Sequence, residues 1–322
     1  MASLAALSTP ALADPLTISN WDGYMAADAV DTFNSQTGNE AELVLHATNE
    51  EIMGKLIASG GVGYDVVFVS SPFAEVLNNL GLAETLDHGK IPNLANLYTQ
   101  ATELPHDPGN TFSLPYAWGT TGLCYRSDLV EAPTSWMDLL APSDDVKGKT
   151  TMLATDRWLL GAGQLALGYS VNTTDAKKTL LAYDDATFYA KLVSGEAELV
   201  HAWDGWGNYG IGENADVRYM IPKEGSDLWV DTMVILKASE NKEAAYAFVN
   251  YILDADNHRW AAENILYKVP NEVAMKGVDP SLIETFPNMG MAPADMLAFE
   301  QLRDVGAAQR DYSRIVSEIK AN

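Results

Sequence analysis

Cysteine is almost absent from this chain: Cys124 is the only one in 322 residues. That excludes a disulfide framework and a cysteine-ligated zinc site. Its setting, Gly122-Leu123-Cys124-Tyr125, reads as an apolar strand, so the thiol is expected to be structural. Basic residues are scarce as well, 20 Lys plus Arg against 44 Asp plus Glu, for a net charge of −24. A chain so charged lacks the cationic surface that gathers phosphates and releases their counterions, and it suits anionic membranes no better. No apolar run reaches the ~18 residues of a membrane-spanning helix. The templates G-x-S-x-G, H-E-x-x-H, Walker A and C-x-x-C are all missing. His46, His88, His106, His201 and His258 are scattered without metal-ligand spacing, so each is expected to be a surface or hydrogen-bonded structural group. Gly60-Gly61-Val62-Gly63 precedes a strand rather than following one, unlike a dinucleotide-binding turn. Asp144-Asp145 and Asp184-Asp185 read as turns. No metal, cofactor or catalytic motif is therefore expected.

What is present indicates a folded α/β protein. Hydrophobic residues make up 47%, and the length corresponds to roughly two domains. Residues 1–13, MASLAALSTPALA, end on an A-x-A pattern like that of a cleaved secretory leader, although no basic residue precedes it. Leu16 to Ser19 alternates as a strand. Thr48-Asn49-Glu50-Glu51 opens a helix that Gly60 stops. Asp65-Val66-Val67-Phe68-Val69 has the continuous apolar character of a parallel strand buried on both faces, and Phe73 to Leu80 reads as the next helix. Further strands are expected at Thr151–Leu153, Ala197–Trp203 and Leu228–Ala238, and helices at Gly161–Tyr169 and Asn241–Leu253. No repeat or Pro/Gly-rich linker separates two halves, so the crossings between them must lie in structured chain.

Trp stands close to Asp four times in or after such strands: Trp21-Asp22, Asp156-Arg157-Trp158, Trp203-Asp204 and Trp229-Val230-Asp231. In a strand, residues two apart share a face, and ligands of open α/β sheets bind beyond the carboxyl ends of the strands. A cleft lined by indoles and carboxylates suits an organic cation. The rings attract the charge by about 0.5–2 kcal/mol, and a carboxylate supplies the charge-assisted bond once water is excluded.

Ser19-Asn20-Trp21 with Tyr24, Tyr64-Asp65-Val66-Val67 followed by Ser70, and Leu114-Pro115-Tyr116-Ala117-Trp118-Gly119 stand in an order that resembles the spermidine/putrescine-binding proteins of ABC transporters. The likeness continues through Thr134 to Leu139, Pro222-Lys223-Glu224-Gly225, Leu228-Trp229-Val230-Asp231, and Tyr267 before Pro270-Asn271. It implies the two-lobed α/β periplasmic binding protein fold, type II-like, with a hinge of crossing strands and the ligand in the interlobe cleft. The implied lobes are 14–118 plus 232–275 and 119–231 plus 276–322, with crossings near Gly119–Cys124 and Asp231–Leu236. The ligand-binding residues implied by the likeness are Trp21, Tyr24, Ser70, Asp156, Trp203, Trp229, Asp231 and Tyr267, to which the Trp–Asp pairs add Asp22, Trp158 and Asp204. Among them, Asp231 would pair with an ammonium.

The sequence departs from the family's common pattern at Gly23, Trp158, Pro72 and Leu302, where an acid, a Glu, an aromatic and a Gln are frequent. The expected function is therefore capture of a putrescine- or spermidine-like amine in the periplasm and its delivery, by a monomer, to a membrane permease. A smaller monocationic, quaternary or zwitterionic amine is the alternative ligand. A carboxylate-pair hydrolase or lyase is the alternative of another class.

Overall fold

The computed structural model describes residues 15–174 and 188–321. The leader at 1–13 and the Asp184-Asp185 pair lie outside them. Among the described residues, nine strands form one mixed sheet: β1 (Leu16–Asn20), β2 (Ala41–Leu45), β3 (Val66–Ser70), β4 (Leu114–Arg126), β5 (Thr150–Thr151), β6 (Leu199–Trp203), β7 (Val217–Met220), β8 (Asp227–Ile235) and β9 (Glu300–Gln301). Their order is β2-β1-β3-β8-β4-β6-β5, with β7 also on β4 and β9 on β8. β1 runs parallel to β2 and β3, and β5 parallel to β6. β8 is antiparallel to β3 and β4.

β4 joins the two halves. Leu114 to Thr120 pair with β8, whereas Thr121 onward pairs with β6 and β7. β4 thus changes partner between Thr120 and Thr121. Asp231 to Ile235 pair along their whole length with β3. Nearer the start of β8, Ser226 Oγ accepts the Thr121 amide and donates to the Thr121 carbonyl. β9 lies beside the first residues of β8.

The first half buries Leu16, Ile18, Val66 and Phe68 on one sheet face and Val67, Val69 and Val234 on the other. β3 is thus covered on both sides, as its unbroken apolar run requires. The second half has its own core of Leu123, Trp136, Leu160, Tyr312 and Ile315. Cys124 packs on the opposite face with Val200 and Ala202, and burial pushes its thiol pKa well up, so it is structural.

Local signals act where expected. Thr48 caps helix Asn49–Ser59 by accepting the Glu51 amide, and Gly60 ends it in the left-handed conformation. Ser135 and Asp138 form a capping box around helix Trp136–Leu140, and Glu224 accepts from Ser135 Oγ at 2.5 Å. Two of the family-like motifs, around Trp136 and Glu224, are therefore structural partners.

Two element readings and one residue reading change. The helix expected at Gly161–Tyr169 begins five residues earlier, as Asp156–Ala166. Its polar start hid it, since Arg157 is buried there, donating to the carbonyls of Arg303 and Val171 rather than to an acid. The strand at Thr151–Leu153 shrinks to Thr150–Thr151. His201 is buried with both ring nitrogens unpaired, not hydrogen-bonded; it lies against Trp136, and burial pulls its pKa down to about 3.

Candidate functional site

The carboxyl ends of the parallel strands β1, β2 and β3 face those of β5 and β6. A cavity of about 660 Å³ opens between them, at the place where open α/β sheets hold ligands.

On the first half, the segment after β1 supplies Trp21, Asp22 and Tyr24, and the segment after β2 supplies Thr48, Asn49 and Glu50. Ser70, at the end of β3, stands directly across from Asp231 on β8. Ser70 Oγ and Tyr24 Oη each donate to the Asp231 carboxylate at 2.6 Å, one to each oxygen. Asn49 fixes Ser70 in turn: its side chain accepts the Ser70 amide at 3.0 Å and donates to Ser70 Oγ at 3.1 Å. The carboxylate is thus aimed from two sides, with acceptor capacity left on both oxygens. Burial raises the Asp231 pKa, and the bonds from Ser70 and Tyr24 pull it back.

Rings enclose this carboxylate. Tyr267 meets Trp229 edge-on at 4.9 Å and Tyr24 at 6.1 Å. Trp21 meets Tyr24 at 5.3 Å and His46 at 4.9 Å. Burial lowers the His46 pKa to about 4, so that imidazole is neutral near pH 7. From the other half come Thr155, Trp158, Trp203, Trp206 and Tyr209, with Trp158 and Trp203 edge to face at 5.5 Å. Among the described residues, no Lys, Arg or His lines the cavity. The chemistry offered is a half-buried, hydrogen-bonded carboxylate within aromatic faces, which suits a cation.

Of the eleven expected site residues, nine line this cavity: Trp21, Asp22, Tyr24, Ser70, Trp158, Trp203, Trp229, Asp231 and Tyr267. Asp156 lies apart, in the first turn of its helix, where its carboxylate accepts from Ser313 Oγ at 2.6 Å. Asp204 is buried beneath β4 and accepts the amides of Thr120 and Gly205 at 3.1 and 3.0 Å. Burial pushes its pKa up to about 7. Two glycines admit these approaches. A Cβ on Gly119 would fall 2.3 Å from Trp229 and 2.5 Å from Asp204, and one on Gly205 would fall 2.1 Å from Tyr267.

The residue reading missed Asn49, Glu50, Thr155, Trp206 and Tyr209. Asn49 and Glu50 had a signal, since they open a helix directly after a parallel strand. Trp206 and Tyr209 had none, because helix Asp204–Glu213 faces the cavity only once its docking is known. Among the described residues no helix is long and apolar enough to cross a membrane, and no group of three or more His, Cys, Asp or Glu could hold a metal.

Comparison with known proteins agrees with this geometry. The chain is 29% identical to the spermidine/putrescine-binding periplasmic protein of Salmonella typhimurium, over 96% of this chain and 92% of the relative. It is 28% identical to a putrescine/cadaverine-binding protein of Pseudomonas aeruginosa, over 98% and 96%. The spermidine/putrescine ABC transporter substrate-binding protein PotD of Streptococcus pneumoniae superposes with a TM-score of 0.81 at 27% identity, covering 95% of this chain and 98% of that one. The model of the bacterial extracellular solute-binding proteins matches residues 28–271. This chain belongs to the bacterial extracellular solute-binding protein family.

Proposed function

We propose that this protein captures a polyamine-type cation in the periplasm and hands it to the membrane permease of an ABC transporter, releasing it chemically unchanged. The observation that carries this reading is the Asp231 carboxylate, oriented by Ser70 and Tyr24 within an aromatic cavity that no cationic side chain lines among the described residues. An ammonium there would donate to the free lone pairs of Asp231 while Trp229, Tyr267 and Trp21 cover its faces and stem. The names of the relatives support a transported amine. The two halves act as lobes about the crossings, and closure buries the ligand from both sides. The crossings support lobe boundaries near residues 120, 227 and 300. Consistent with the last of these, helix Pro293–Met296 packs on the turn Thr99–Thr102 of the first half, while helix Gln309–Lys320 packs on Asp156–Ala166 of the second.

Calorimetry with putrescine and spermidine tests the assignment. Asp231→Ala is expected to weaken binding by a factor of 100 or more, since breaking a buried charge pair costs about 3–5 kcal/mol. Unchanged affinity in a folded Asp231→Ala variant would place the site elsewhere.

A further inference from the structure

Behind the wall that the second half gives to the cavity stands a further carboxylate. Asp227 opens β8 and is 3% exposed. Thr121 Oγ1 of β4 donates to its Oδ1, and its Oδ2 is buried without a partner among the described residues. Trp158 lines the cavity, and its indole Nε1 is buried without a partner in the same way. These two open groups meet: the Trp158 N–H favours the ionised form of Asp227, although it falls short of a well-aligned hydrogen bond. A buried donor beside a buried acceptor is an unfavourable arrangement that a small turn of the ring relieves.

The other groups around Asp227 leave that oxygen to the indole. Arg157, on the helix that carries Trp158, favours the ionised carboxylate, but its guanidinium donates to the carbonyls of Arg303 and Val171 and to Asn172. Tyr219 of β7 faces Asp227 as a phenol whose pKa burial raises well up. Ser226 Oγ donates to backbone carbonyls. Glu300, the register partner on β9, accepts from Ser170 and Asn172. Burial pushes the Asp227 pKa up to about 6, so the group is ionised near pH 7.

An indole that gives its N–H to a carboxylate is fixed in rotation and richer in ring electron density, since hydrogen bonds in a low-dielectric interior polarise their partners. Its face attracts a cation more strongly, and the field of the carboxylate adds to that attraction. Trp158 stands edge to face with Trp203 at 5.5 Å, so the pair offers a second cation position, on the opposite half from Asp231.

We infer that Asp227 is a positioning residue: through the Trp158 N–H it sets the ring on which the second ammonium of a diamine or polyamine ligand rests. This deepens the amine-binding reading and rests on it.

The test is titration calorimetry of pentylamine and cadaverine, which match in length and differ by one ammonium. The proteins are wild type, Asp227→Asn, Trp158→Phe and the double variant. Asparagine keeps the shape and an acceptor and removes the charge; phenylalanine keeps a ring and removes the N–H. Wild type is expected to prefer cadaverine, and Asp227→Asn to cut that preference about tenfold with pentylamine little changed. In the Trp158→Phe background, Asp227→Asn should cost nothing further, because the coupling it removes is already gone. No cadaverine preference in wild type, an equal loss for both amines in Asp227→Asn, or additive losses in the double variant overturns the inference while keeping the amine site. Binding of neither amine to wild type overturns both.

Where a variant fails to fold, the wild-type preference across pH decides. Between about pH 8 and about pH 5, Asp227 takes up its proton and the preference for cadaverine should narrow. Titration of Asp231 weakens both amines and cancels from the ratio. A ratio that stays constant over that range overturns the inference.

Discussion

At the scale of single residues, the site is a carboxylate made specific by its neighbours. Burial raises the Asp231 pKa, and the bonds from Ser70 and Tyr24 favour its ionised form. The groups facing it are those two hydroxyls together with the Tyr116 and Tyr267 phenols, all neutral near pH 7, as burial and the carboxylate itself raise the three phenols well up. Its pKa is raised, so amine binding is expected to fade as pH drops, beginning above the usual carboxylate range. Tyr24→Phe removes one bond to the ionised form and should move that fade to higher pH, as calorimetry at stepped pH would show; an unmoved profile would separate Tyr24 from the titration. Much of this was legible in the sequence, because Trp229-Val230-Asp231 in a strand fixes ring and acid on one face. Asp156 and Asp204 were not legible in this way. Adjacency to Trp says nothing about rotation in the first turn of a helix, and there one carboxylate turned to Ser313 and the other to backbone amides.

At the scale of elements, strand ends do the positioning. β1, β2 and β3 share a direction, so the segments that follow them converge on one edge. β3 and β8 bring Ser70 opposite Asp231, from 161 positions away in the chain. β1, β3 and β8 were readable as strands, whereas β2, half exposed along Ala41–Leu45, was not. The start of helix Asp156–Ala166 was not, because a buried Arg satisfied by carbonyls looks polar in sequence. The crossing strand β4 needs a bare backbone at Gly119, where Trp229 and Asp204 lie closer than any side chain allows. Gly119→Ala is expected to destabilise the fold by about 1–3 kcal/mol through overpacking and to displace Trp229, weakening ligand binding. Thermal melting and calorimetry together check this; a variant as stable as wild type would show that the strand can shift at little cost.

For the whole molecule, function depends on two halves that share a sheet yet carry separate cores. Helix Asp204–Glu213 reaches across: Asn208 donates to the Leu266 carbonyl at 2.8 Å, and Tyr209 Oη to that of Asn264 at 2.7 Å. These bonds join a helix of the second half to the loop carrying Tyr267. Tyr209→Phe deletes one of them and is expected to reduce ligand affinity about fivefold, the worth of a single hydrogen bond, while leaving each core intact. Small-angle scattering with saturating amine would then show less compaction than wild type; equal compaction would free Tyr209 from any part in closure. The two-lobed plan was expected from the sequence through its likeness to a family. The crossings expected at Gly119–Cys124 and Asp231–Leu236 came from the same likeness, since β4 and β8 carry no local mark where one partner strand replaces another.

The central claim is that Asp231 holds the ligand's ammonium. Its most direct test is a crystal structure of the amine complex. The account predicts the ligand nitrogen at ~3 Å from an Asp231 oxygen, with the ligand's body against Trp158 and Trp203. Ligand density elsewhere in the molecule, or in this cavity with its nitrogen away from Asp231, would contradict it.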